Sequence, residues 1–124
     1  MDFDFTDEQR ILRDQARQFL SEFYALKSVR SVLEGKQLYD SNLWSAIKEL
    51  GWLGAVIPES YGGIGLSYID MCVICEELGR VIAPVPFSSS ILLAAEAIGA
   101  AGTEQQKLTY LPGFATGEII GTLA

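Results

Sequence analysis

Apolar side chains recur at helical spacing along most of the chain. Leu12, Ala16, Phe19, Leu20 and Phe23 form one stripe, the pattern of an amphipathic helix that turns one face to a core. Thr6-Asp7-Glu8-Gln9 opens it as a capping box. The Thr6 hydroxyl accepts from the Gln9 N–H, and the Gln9 side chain returns to the Thr6 N–H. Asp7 and Glu8 complement the positive end of the helix dipole. The pattern continues past Leu26 and Val29 until Gly35. A second helix starts near Asp40 or Ser41, carries Leu43, Trp44, Ile47 and Leu50, and stops at Gly51, the expected left-handed cap.

Periodicity then breaks. Pro58, Gly62, Gly63 and Gly65 predict a loop over residues 52–65. Ser67-Tyr68-Ile69-Asp70 restarts a helix whose positions Ile69, Met71, Cys72, Val73, Ile74, Cys75 and Leu78 leave little polar face, so burial all round is expected, with Gly79 as its end. Ala83-Pro84-Val85-Pro86 must be extended, because each proline pushes its predecessor out of the helical region. Ser88, Ser89 and Ser90 read as caps for a helix that is apolar from Ile91 to Ile98 except at Glu96. A second capping box, Thr103-Glu104-Gln105-Gln106, opens a short helix that Pro112 should end. The reading is all-α: five to six helices over residues 1–118. The apolar run of residues 119–124 is expected to begin the first strand of a β domain that lies beyond this chain.

Composition narrows the chemistry. The 124 residues suit one compact domain, and 49% hydrophobic content argues against disorder. A net charge of −7 without a basic stripe argues against nucleic-acid binding. No apolar stretch approaches the roughly 20 residues of a membrane span, and the acidic start Met1-Asp2-Phe3-Asp4-Phe5 does not match a secretory signal. A cytoplasmic setting is expected. The absence of histidine removes every Ser-His or Cys-His dyad and the commonest metal ligand.

The remaining motifs read as structure. Cys72 and Cys75 form C-x-x-C inside an apolar helix beside Glu76 and Glu77, which predicts two buried core thiols and no zinc or redox site. The glycine-rich stretch from Pro58 to Gly65 lacks both a following Lys and a preceding strand, so it reads as a turn and not a phosphate cradle. Glu76 and Glu77 diverge by about 100° on a helix, which leaves them solvated or paired with Arg80 rather than joined in acid–base work. The residues alone therefore assign no catalytic group and no metal ligand.

The order of segments says more than any one of them. Phe5-Thr6-Asp7-Glu8-Gln9, Pro58-Glu59-Ser60-Tyr61-Gly62-Gly63-Ile64-Gly65, Glu76-Glu77-Leu78-Gly79-Arg80, Gly102-Thr103-Glu104-Gln105-Gln106-Lys107 and Tyr110-Leu111-Pro112 follow one another with fitting gaps. Together they resemble the N-terminal helical domain of the acyl-CoA dehydrogenase family, over essentially the whole chain. That resemblance implies a larger enzyme with a middle β domain and a C-terminal helical bundle. FAD would lie between those two, with part of the site from a neighbouring subunit. A glutamate would take the α-proton of an acyl-CoA and hydride would pass to the flavin, giving a trans-2-enoyl-CoA, with electron-transfer flavoprotein as the usual acceptor. On this resemblance the chain itself carries no catalytic or flavin-binding residue. Its contribution is to the acyl pocket, through Pro86, Phe87, Ser89, Ser90 and Leu93, where small serines imply a roomy cavity. The stretch from Glu77 to Phe87 resembles a subgroup acting as one subunit of two-gene dehydrogenases for bulky acyl-CoAs, so a homo- or hetero-oligomer is expected. Two other readings compete: a free-standing helical interaction module without catalysis, and an acyl-CoA oxidase or flavin monooxygenase of the same fold.

Overall fold

A computed structural model describes residues 4–23 and 26–124. The acidic start at residues 1–3 and the expected run of the first helix through Tyr24 and Ala25 lie outside them. The described residues form six α-helices and no strand: α1 (Asp7–Phe23), α2 (Leu26–Leu33), α3 (Ser41–Glu49), α4 (Tyr68–Arg80), α5 (Glu96–Ala101) and α6 (Glu104–Thr116). The all-α expectation holds. The chain divides into two compact units, one of Met1–Asp40 with Tyr68–Pro84 and one of Ser41–Ser67 with Val85–Ala124.

The first unit is built on α1 and α4. The predicted capping box closes α1, with Gln9 N–H donating to Thr6 Oγ1 at 3.2 Å and Thr6 N–H to Gln9 Oε1 at 3.1 Å. Ala16 and Leu20 of α1 are buried, as are Met71, Val73, Ile74 and Leu78 of α4. Full burial of each such larger side chain contributes about 2 kcal/mol. Glu77 is fully buried among them. Arg17 reaches it from α1, with Nη2 at 2.6 Å from Oε1 and Nε at 3.1 Å from Oε2, and Arg80 Nε lies 2.8 Å from Oε2. The expected Glu77–Arg80 pairing is present; Arg17 joins it from sixty residues away.

Three expectations for α4 fail. Cys72 is exposed and Cys75 half-buried, so the thiols are not a core pair. Ile69 is 57% exposed. The helix is one-sided: 3.6-residue periodicity turns 71, 74 and 78 inward and 69, 72 and 76 outward, and the run of apolar types hid that stripe. Burial, and then the neighbouring Cys72, push the Cys75 thiol up, away from the reactive thiolate. Gly79 lies within α4, which ends at Arg80; Ile82 then takes the left-handed turn with φ of 50°.

In the second unit α3 stops at Gly51, φ 75°, as predicted. The stretch 52–65 is more ordered than a plain loop: it holds two 3-10 turns, Trp52–Gly54 and Glu59–Tyr61. Thr103 caps α6 with a complete capping box. Pro112 does not end α6, which runs on to Thr116 and closes at Gly117, φ 70°. Burial of Leu111, Phe114 and Ala115 around the proline outweighs the single backbone bond it forgoes. Residues 119–124 carry no regular secondary structure. Ile119 N–H donates to the Gly113 carbonyl at 3.0 Å and turns the chain back along α6.

Candidate functional site

Residues 86–93 form the least regular part of the second unit. After a bend at Val85 and Pro86, Phe87 turns into helical geometry, and Ser88–Ala95 winds as a π-helical turn before α5 begins. Such widened turns are rare and concentrate at functional sites. The serines do not cap it: no side chain satisfies its first amides. Ser89 Oγ instead donates back to the Pro86 carbonyl at 3.3 Å, which Ser90 N–H also reaches at 3.2 Å. One carbonyl thus takes two donors and fixes the entry of the turn. Small side chains at 88–90 and 94–95 let the wider coil close without crowding.

The five residues expected at an acyl pocket separate into two layers. Phe87 is 3% exposed and Ser90 is fully buried, so both face inward. Pro86 and Ser89 are half-buried, and Leu93 is 46% exposed. The turn therefore leaves Pro86, Ser89 and Leu93 open to the surface and holds Phe87 and Ser90 beneath them. Two residues that sequence reasoning passed over back this layer: Phe114 and Ala94, against which Gly121 packs. The signal was the spacing of Gly113, Gly117 and Gly121, every fourth residue.

In the glycine-rich stretch before α4 the amides from Gly62 onward are committed to the chain's own carbonyls: Gly62 to Glu59, Gly63 to Pro58, Ile64 to Gly54, Gly65 to Ile57 and Leu66 to Ala55. A Cβ at Gly63 would lie 1.9 Å from the Ile57 carbonyl oxygen. This is a packing turn whose glycine amides are spent within the chain, so they do not form the cradle that the phosphates of FAD would need. A separate surface pocket of about 280 Å³ at α2 and the residues after it is lined by Lys27, Arg30, Ser31, Glu34 and Lys36. Among the described residues no cluster of three metal-capable side chains exists, and no helix is long and apolar enough to cross a membrane.

Comparison with known proteins shows the family. Residues 6–118 match the family described as acyl-CoA dehydrogenase, N-terminal domain. The chain is 33% identical over 122 residues to mitochondrial isovaleryl-CoA dehydrogenase of Solanum tuberosum, covering 97% of this chain and 30% of that protein. It superposes on butyryl-CoA dehydrogenase from Megasphaera elsdenii with a TM-score of 0.77 at 30% identity, covering 97% of this chain and 32% of the other. A variant of a steroid ACAD gives a TM-score of 0.82 at 35% identity, over 94% and 32% of the two chains. The chain thus spans about a third of the length of the relatives it matches. It belongs to the acyl-CoA dehydrogenase family and corresponds to that family's N-terminal helical domain.

Proposed function

We propose that this chain is the N-terminal helical part of an FAD-dependent acyl-CoA dehydrogenase that oxidises an acyl-CoA thioester to a trans-2-enoyl-CoA. Its own part is to wall the acyl pocket with the outward layer of the π-helical turn: Pro86, Ser89 and Leu93, positioned by Phe87 and Ser90. The observation that carries this reading is that turn, which presents one small polar and two apolar side chains from a buried, doubly bonded base. Small Ser89 suits a broad acyl group, and the likeness to a steroid ACAD supports that choice. The flavin chemistry belongs to polypeptide outside this domain. The bonded glycine amides of the glycine-rich turn support this division, since none of them is free for a phosphate. Electron-transfer flavoprotein is the acceptor in this reading, and the assembled enzyme is a homo- or hetero-oligomer.

Titration of the 124-residue chain with acyl-CoA thioesters, followed by amide NMR, tests the wall. Thioesters of growing acyl length should shift the Ser89 and Leu93 amides progressively, while coenzyme A alone should leave them in place. FAD added to the same sample should pass through a desalting column unbound, and no thioester should be oxidised. Dehydrogenation by this chain alone, or acyl-dependent shifts confined to residues away from 86–93, would overturn the assignment.

A further inference from the structure

The buried face of the π-helical turn does something that no pocket role explains. Ser90 is one of two polar or charged residues in the buried set, and it is fully enclosed. A hydroxyl in such a place costs stability unless it is bonded. Its Oγ accepts from the Gly121 N–H at 3.3 Å, thirty-one residues away. Gly121 reaches it because it lacks a side chain: a Cβ there would sit 2.9 Å from Phe114 Cζ and 3.0 Å from Ala94 Cβ. Two earlier glycines make the same approach possible. A Cβ at Gly113 would lie 2.5 Å from Ile119 Cδ1, and one at Gly117 would lie 2.5 Å from Leu53 Cδ1. Gly117 further needs its positive φ of 70° to turn the chain.

We propose that Ser90 is a positioning residue that locks the segment after α6 to the back of the π-helical turn, so that the ligand-facing layer and the departing chain form one mechanical piece. The segment has two anchors of different kinds. Ile119 is held backbone to backbone by Gly113; Gly121 is held by a side chain of the turn. The second anchor is the one that carries the position of the turn into the following chain. Its meaning for a substrate rests on the pocket reading above; the anchor itself does not.

Hydrogen exchange of single amides separates the two. In the unchanged chain the Gly121 amide should exchange well slower than those of Thr122 and Leu123. In S90A it should exchange about tenfold faster, the worth of one buried hydrogen bond, while the Ile119 amide, bonded to the Gly113 carbonyl, keeps its rate. If Gly121 exchanges as fast as Thr122 in the unchanged chain, or if S90A speeds Ile119 and Gly121 alike, the side chain is not the anchor and the proposal falls. The unchanged-chain measurement stands even if S90A does not fold. Loss of the anchor would leave acyl-induced shifts at Ser89 and Leu93 to be judged separately, and absent acyl binding would leave the exchange result intact.

Discussion

Glu77 shows how one residue can hold a unit together. Its carboxylate has no solvent exposure and is bonded by Arg17 and Arg80. The Arg17 hydrogen bond is the main influence drawing its pKa below the ordinary glutamate value, against the opposing effect of burial. A group whose pKa falls on folding stabilises the fold above its unfolded pKa, and that stabilisation is lost as pH drops through the folded value. Melting of the chain should therefore worsen below about pH 4.5, the ordinary glutamate value from which Glu77 is depressed. Glu77→Gln should remove about 2 kcal/mol at neutral pH and flatten the acid limb. Thermal melts at pH 7 and pH 4 check both; an acid limb as steep in the variant would place the titrating group elsewhere. Half of this pair was legible in sequence. Arg80 stands three residues from Glu77, whereas Arg17 meets it only through the packing of α1 on α4, which no local pattern encodes. The same limit hid the true exposure of Cys72, since residue type alone does not say which side of a helix faces water.

Among the elements, those with chemical punctuation were readable. The Thr6 and Thr103 capping boxes and the Gly51 and Gly35 turns fall where the side chains and glycines required them. Elements decided by tertiary burial were not. α6 passes through Pro112 because Leu111 and Phe114 are worth more inside than one backbone bond, and Ser89 bonds backward and Ser90 inward instead of capping. The expected pocket segment, residues 86–93, was therefore named from sequence without the division into open and buried side chains that the π-helical turn imposes. The glycine turn, whose reading from sequence as structure agrees with its bonded amides, supplies a test. Gly63→Ala puts a methyl 1.9 Å from the Ile57 carbonyl oxygen, a rigid neighbour, so repacking cannot absorb it. A loss of about 3 kcal/mol, of the size overpacking brings, should appear in urea denaturation; a loss under about 1 kcal/mol would mean that the turn yields.

At the scale of the whole molecule, the notable quantity is apolar surface left uncovered. Leu38 is 93% exposed, Leu33 81%, Tyr68 66%, and Leu108 and Leu123 61% each. Single exposed hydrophobes are ordinary, but this many in a chain of 124 residues marks faces made to be covered. That fits a domain spanning about a third of its relatives' length. The folded chain alone should bind a surface dye such as ANS at neutral pH without losing its helical circular dichroism, and its sedimentation should show mass rising with concentration. Dye-silent, strictly monomeric protein would mean these side chains are shielded among themselves.

A helix that widens for one turn does not merely bulge; it resets its own phase. Each added residue rotates everything downstream by about 100°, so α5 leaves the π-helical turn on a different bearing from the one a regular coil would give it. Ala97 and Ile98 thus owe their azimuth to the winding at 88–95, and one residue gained or lost there would swing them round the axis and change which side chains of α5 meet α6.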